Sequence, residues 1–260
     1  MRTRSAVTAA ALSVAGLLAL ACAIPEAPEF PDELPDPEPT TTAAEVPTAT
    51  DPTDSLDSLE GAFDYDTMGG YVAAVVAEFM NPWLNDTWPG MREPFVRYVE
   101  RGETGPQNCV DATGEPGYYT GYSYEYCPGD ETVYVGQETL WEFYIETGDA
   151  GPAMGIAHEY GHHVQYMLGV PPPRTPAQSV DYENQADCIS GVWARWMEQH
   201  GYLETAQTSP NGRSDLDDIR LMFPIIASAE GDDRDHGTLE ERARAFSQGY
   251  LRGVGACDLE

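Results

Sequence analysis

Ala157–Gln165 reads AHEYGHHVQ, and Glu183–Trp193 reads ENQADCISGVW. Apolar residues around these two segments recur with the 3.6-residue period of a helix, over about 152–168 for the first and about 179–200 for the second. A proline-rich loop of about ten residues separates the two regions. These patterns predict two consecutive helices that pack against each other and bring the two segments together.

The first segment contains the pattern H-E-x-x-H at His158, Glu159 and His162. Residues four apart lie on the same face of a helix, so the two imidazoles can bind one ion. Glu159 projects beside them, where it can reach a water molecule on the metal without being an equivalent ligand. A zinc hydrolase needs two neutral nitrogen ligands and a base beside the open coordination position. We therefore predict one zinc ion per chain, bound by His158 and His162, with Glu159 as general base.

A third ligand is required, because catalytic zinc normally has three protein ligands and a water. A metzincin would continue with glycine and histidine at positions 165 and 168, but this chain has Gln165 and Leu168, so that class is excluded. The second segment offers Glu183 and Asp187, which also lie four apart on one helical face. We predict that Glu183 completes the zinc site and that Asp187 accepts the other ring N–H of a ligand histidine.

Two further histidines have weaker arguments for a functional role. His163 lies about 100° round the helix from its neighbour His162, so we expect a structural role for it. His236 precedes the last predicted helix and is a candidate for donating a proton or stabilising the oxyanion of the transition state. The alternative for His236 is a capping or packing role.

Four segments together resemble the bacterial putative neutral zinc metallopeptidase family: AHEYGHHVQ at 157–165, ENQADCISGVW at 183–193, YCPGDETVY at 126–134 and HGTLEERARAFSQGY at 236–250. The resemblance covers roughly residues 66–258. It implies a zincin-like α+β fold of the gluzincin type, with an active-site helix followed by a glutamate-bearing helix. It also implies the same ligands, His158, His162 and Glu183, and the same catalytic glutamate, Glu159. Asn184 departs from the family, whose members more often have an apolar residue there.

The remaining periodicity predicts a mostly helical domain with a small antiparallel sheet. Met68–Leu84 has a helical period, and Pro82 is expected to end that helix. Within 117–136, three tyrosines alternate before a Pro-Gly-Asp turn at 128–130 and Val133–Val135 follows it, which predicts a β-hairpin or part of a small antiparallel sheet. We expect the strand near Thr132–Val135 to be an edge to which an extended peptide could add. A last helix is expected over about 238–251.

The N-terminal part of the chain has the composition of a targeting segment. In residues 1–22 two arginines precede an uncharged run that ends in Ala-Leu-Ala before Cys22, which resembles the lipobox of bacterial lipoproteins. Ordinary signal cleavage or a short transmembrane anchor are the alternatives. Residues 23–62, rich in Pro, Glu, Asp and Thr, predict a disordered acidic tether, and 63–260 the zinc metallopeptidase domain. We expect an extracytoplasmic protein, lipid-anchored to the outer face of the cytoplasmic membrane or otherwise secreted.

Cysteine parity agrees with lipidation of Cys22. The chain has five cysteines, and the four others are Cys109, Cys127, Cys188 and Cys257. An even set suits two disulfides in an oxidising compartment. Three pairings are open, and we favour Cys109 with Cys127 and Cys188 with Cys257. A thiolate metal ligand at Cys188 is the alternative.

The net charge of the chain argues against some classes of binding partner. The net charge is −31, and the chain contains no lysine. So acidic a surface repels phosphate backbones and anionic lipid headgroups, which argues against nucleic-acid binding and leaves a lipid anchor as the route to a membrane. The expected partner is a protein or peptide substrate. Two other functions fit the same motifs: a zinc-binding lipoprotein without catalysis, and a zinc hydrolase acting on a non-peptide amide of the cell envelope.

Overall fold

The computed structural model describes residues 55–56, 59, 64–110, 115–209, 212–231 and 234–259. The predicted signal peptide, Cys22 and nearly all of the predicted tether lie outside these ranges. Within them, no helix is both long and apolar enough to cross a membrane.

Two helices are followed by five consecutive short strands, and the chain after the strands is helical. The helices are α1 Met68–Val75, α2 Asn81–Thr87, α3 Gln137–Thr147, α4 Ala150–Leu168, α5 Pro176–Gln199, α6 Asp215–Ile226 and α7 Leu239–Arg252. The strands are β1 Phe95–Val99, β2 Thr104–Val110, β3 Pro116–Thr120, β4 Tyr124–Cys127 and β5 Thr132–Gly136. The predicted α+β class is therefore confirmed.

The strands form two small sheets rather than one antiparallel sheet. β4 and β5 make the predicted antiparallel hairpin, but β1 pairs parallel to β5, so this three-stranded sheet is mixed. β2 and β3 form a separate antiparallel pair. Because the order is β1-β5-β4, β5 is the central strand. The prediction that the strand near Thr132–Val135 is an open edge is therefore wrong, since the hydrogen-bonding groups on both its sides face neighbouring strands.

Pro82 does not end the first helical region, contrary to the prediction. A π-helical turn, Val76–Met80, follows α1, and the chain then re-enters an α-helix at Asn81. Pro82 thus occupies the first turn of α2, where a backbone N–H has no intrahelical partner to lose. The helical path continues to Thr87.

α4 is the central helix of the domain and is buried over almost its whole length. It ends as predicted at Gly169, which has a left-handed conformation with φ 76°. Its close contact with α5 depends on Gly161, where a Cβ atom would lie 3.0 Å from the carbonyl oxygen of Ala186. α5 and α7 approach even more closely, and a Cβ at Gly249 would lie 1.8 Å from the carbonyl oxygen of Cys188. Small residues at these crossings bring three helices together around one site.

Two disulfides join distant parts of the chain. Cys109 of β2 is bonded to Cys127 at the end of β4, and Cys188 of α5 is bonded to Cys257. This is the pairing that the sequence favours. The second bond holds the segment after α7 against the helix that carries Glu183.

Candidate metal centre

His158, His162 and Glu183 converge at the interface of α4 and α5. One nitrogen of each histidine and a carboxylate oxygen of Glu183 lie within 4.8 Å of one another. His158 Nε2 is 3.1 Å from Glu183 Oε2, and His162 Nε2 is 3.3 Å from Glu183 Oε1. The four-residue spacing of the histidines on α4 thus places both Nε2 atoms against one carboxylate.

The other ring nitrogen of each histidine has its own acceptor. His158 Nδ1 lies 2.9 Å from Asp187 Oδ1, and His162 Nδ1 lies 2.8 Å from Gln165 Oε1. The Gln165 amide nitrogen donates to the Tyr182 carbonyl at 2.8 Å, which directs its oxygen toward His162. An acceptor at Nδ1 selects the neutral tautomer with its lone pair on Nε2.

When both histidines are neutral, as metal binding requires, two nitrogen lone pairs and a carboxylate point toward one another, and these three groups supply no hydrogen-bond donor to one another. A cation between them would satisfy all three. Two imidazoles and one carboxylate are a donor set typical of catalytic zinc, which keeps its fourth position for water or substrate. The residues present thus fit the metal that the motif predicts.

Electrostatics also favour a positive charge at this position. Burial lowers the pKa of His158, but the carboxylates of Asp187 and Glu183 outweigh it and raise the pKa to about 10. Burial raises the pKa of Glu183, but His162 and His158 outweigh that effect and hold it well below its usual value. A bound metal ion would supply the positive charge that these carboxylates stabilise.

Asp187 is held in turn by Arg242, which is not among the predicted site residues. The guanidinium donates from Nε to Asp187 Oδ2 at 2.8 Å and from Nη2 to Oδ1 at 2.9 Å, and its Nη1 donates to the Ile226 carbonyl at 2.8 Å. Both side chains are almost completely buried. One signal was present in the sequence, because Arg242 is a charged residue on the face of the last helix that carries the apolar Phe246 and Tyr250. A charge on a buried face requires a partner.

Gln165 is the second orienting residue that was not predicted for the site. It is completely buried, and the sequence argument used it only to exclude a metzincin. Its position three residues after His162 on the same helix could have indicated the contact. The Tyr182 ring stacks on His162 with centroids 5.2 Å apart and further limits the orientation of that imidazole.

Glu159 lies beside the candidate ligand His158 at the wall of a cavity of about 230 Å³. The cavity is lined by Tyr124, Phe143, Gly155, His158, Glu159, Met222, Ile226, His236 and Arg242. Glu159 is 8% exposed, and burial raises its pKa, while the neighbouring His158 and His162 act in the opposite direction. A carboxylate in this position can exchange a proton with a molecule bound in the cavity.

His236 is brought to the rim of the same cavity. Its Nε2 lies 3.4 Å from Glu183 Oε2, and its Nδ1 lies 3.0 Å from Asp235 Oδ1. Arg234 holds this loop by donating to the His236 carbonyl at 3.1 Å and by pairing with Glu241 in the first turn of α7. The side chain is 42% exposed, so it can contact both the metal site and a bound substrate.

His163 and Cys188 lie outside the centre. His163 Nδ1 is 3.0 Å from the Tyr126 hydroxyl, and its Nε2 is 2.6 Å from the Arg92 carbonyl, so it ties α4 to the sheet. This agrees with the structural role expected for it. The Cys188 sulfur is bonded to Cys257 and so cannot be a thiolate ligand.

An α+β domain with two histidines on one buried helix and a glutamate on the next has the architecture of a helix-borne metallopeptidase centre. Residues 107–259 match the family described as "Putative neutral zinc metallopeptidase". That match spans more than half of the chain and includes every residue of the centre. The chain belongs to this family, and its members' description identifies the metal as zinc.

Relatives of this chain occur in Escherichia coli and in Mycobacterium tuberculosis. The chain is 35% identical over 144 residues to "Uncharacterized protein YpfJ" of Escherichia coli, which is 49% of this chain and 50% of that protein. It is 31% identical over 199 residues to "Uncharacterized protein Rv2575" of Mycobacterium tuberculosis, which is 65% of this chain and 63% of that protein. The chain thus spans between half and two thirds of the length of these relatives. No solved structure matches it.

Proposed function

We propose that this protein is a zinc-dependent peptidase that hydrolyses peptide bonds, with His158, His162 and Glu183 as ligands of one zinc ion and Glu159 as general base. The observation that carries the proposal is the convergence of three lone-pair donors beside a buried carboxylate at a cavity. Membership of the zinc metallopeptidase family supports the metal and the reaction class.

Side chains of this protein have separate roles in the proposed reaction. Zinc, when bound, supplies Lewis acidity that polarises a carbonyl and lowers the pKa of water. Glu159 takes the proton from the attacking water and returns it to the leaving amine. Asp187 holds the Nδ1 proton of His158, and the bidentate contact with Arg242 keeps Asp187 ionised and fixed. Burial of Glu159 and His158 keeps competing water away from these transfers.

Glu159 also separates this proposal from a zinc-binding protein without catalysis. A purely structural site gains nothing from a carboxylate that is buried beside the ligands and faces a cavity, because desolvating it costs free energy. A hydrolase acting on a non-peptide amide would use the same groups. The cavity residues alone do not favour that substrate, and the family description favours peptides.

Zinc content and digestion of a peptide library, measured on the same preparation, test the proposal. We expect about one zinc per chain and cleavage that stops with a chelator selective for transition metals and returns when zinc is added back. Full zinc occupancy without cleavage of any peptide would support the non-catalytic alternative. Hydrolysis restricted to wall amides would point to the non-peptide alternative.

For localisation we propose cleavage before Cys22 and acylation of that residue, because one bond satisfies both the lipobox and the cysteine parity. Intact-mass analysis of the mature protein should find a chain that begins at Cys22 and carries acyl groups. An unmodified Cys22, or an N-terminus elsewhere, would contradict this proposal.

A further inference from the structure

Three buried aspartates meet at the far end of α4 from the zinc site. Asp149 directly precedes α4, and Asp215 and Asp218 lie in the first turn of α6. They are 2%, 1% and 1% exposed, and one carboxylate oxygen of each lies within 4.8 Å of the others. His158 is nine residues farther along the helix, which corresponds to about 13 Å. The cluster is therefore separate from the catalytic centre.

Asp149 has an oxygen that nothing in the described protein satisfies. It occupies the N-cap position of α4, but its side chain makes no capping hydrogen bond. Its Oδ2 is buried and has no hydrogen-bond partner. Leaving a buried carboxylate oxygen without a partner is costly, so a group that binds it from within the cluster would stabilise the fold.

A fourth carboxylate borders the cluster. The backbone N–H of Glu204 donates to Asp215 Oδ2 at 2.8 Å, which places this residue beside the aspartates. Glu204 Oε2 is itself buried without a hydrogen-bond partner. Asp149 and Glu204 thus each have a buried carboxylate oxygen without a partner, and the backbone of Glu204 contacts the cluster.

Arg213 is a basic partner of the cluster. Arg213 donates from Nε to Asp218 Oδ1 at 2.9 Å and from Nη2 to the Thr147 carbonyl at 2.8 Å. With all four side chains ionised, as a bound cation would hold them, three aspartates and one arginine leave two negative charges in excess. The backbone also makes room for the carboxylates: Gly148 has φ +102°, and a Cβ there would lie 1.9 Å from Asp218 Oδ2.

We propose that Asp149, Asp215 and Asp218 bind a calcium ion that fastens α6 to the start of α4, with Glu204 as a further ligand. All the donors are carboxylate oxygens, which calcium and magnesium prefer, whereas zinc sites in proteins usually contain histidine nitrogen or cysteine sulfur. Calcium accepts six to eight oxygens in irregular arrangements, whereas magnesium needs near-octahedral geometry and usually keeps several waters. A cluster this deeply buried offers little room for those waters.

Thermal unfolding of the zinc-loaded protein in metal-depleted buffer tests the site. We expect CaCl₂ at about 10 mM to raise Tm by about 5 °C, the shift that corresponds to a dissociation constant of roughly 10⁻⁴–10⁻³ M, the affinity range of extracellular calcium sites. The same concentration of MgCl₂ should change Tm much less. Calorimetric titration of the unmodified protein with CaCl₂ should give one site per chain. No Tm shift and no binding heat, or equal shifts with both metals, would overturn the proposal.

The variant Asp149→Asn distinguishes a bound calcium ion from the alternative, in which the carboxylates of the cluster share a proton. The variant should gain Tm in metal-depleted buffer, because an unsatisfied charge is removed, and should lose the response to CaCl₂. Asp181→Asn, an exposed charge change on α5, is the matched control and should keep the full response. An unchanged calcium response in Asp149→Asn would overturn the site.

Discussion

Replacing Glu159 with glutamine is expected to lower peptide turnover by about 10²–10⁴-fold while zinc stays near one per chain. The amide has almost the same shape as the carboxylate and should fit the buried position of Glu159 at the cavity wall. It cannot accept the proton of the attacking water at neutral pH. The zinc ligands are on other residues, so metal binding should survive. Zinc content and initial cleavage rates, measured side by side, give the answer.

A matched control for this experiment is Glu146→Gln. Glu146 is exposed on α3, outside the set of residues that line the cavity, and its substitution makes the same change in charge. It should cleave at the parental rate. If Glu159→Gln cleaved as fast as this control, Glu159 would not be the general base and the proposed mechanism would fail.

The second large effect is expected at Glu183. Alanine there removes one of three ligands, so the zinc affinity should fall by more than about 100-fold, beyond the range typical of an orienting residue. Asp187→Asn should weaken zinc binding more mildly, by about 10- to 100-fold, because it loosens His158 without removing a ligand. Competition with a chelating dye measures both affinities. Asparagine is preferred to alanine at 187 because it leaves Arg242 a partial acceptor.

Asp181→Ala on the same helix is the control for a general effect on α5, since its side chain is exposed. Its zinc affinity should equal that of the parent. Unchanged zinc binding in Glu183→Ala would show that the third ligand is elsewhere. Equal losses at Glu183 and Asp187 would contradict the division into ligand and orienting residue.

The convergence of the proposed ligands could be predicted because much of their geometry is local. Four-residue spacing fixes the face of a helix, so His158 with His162, and Glu183 with Asp187, could each be placed from the sequence. The one contact between separate elements that the site requires is the packing of α4 on α5, which brings the two pairs together. The helix-ending role of Gly169 was predictable for the same reason.

Contacts between segments far apart in the sequence could not be predicted from spacing along a single helix. Arg242 is 55 residues from Asp187, and only the docking of α7 on α5 brings the two together. The parallel pairing of β1 with β5 likewise joins strands that are separated along the chain. Pro82 was misjudged because a preceding π-helical turn moved it into the first turn of a new helix.

The contact between Arg242 and Asp187 can form only late in synthesis of the chain, because Arg242 is translated after Asp187 and the three ligand residues. A nascent chain that has emerged through residue 200 already carries all three ligand residues, but neither Arg242 nor Cys257. At that stage Asp187 would have no guanidinium to hold it in a desolvated position, and the histidine beside it no fixed acceptor. The ribosome thus makes the three proposed ligands first, and Arg242, which holds the orienting carboxylate, 55 residues after Asp187, so the centre can take its final form only once α7 has been made.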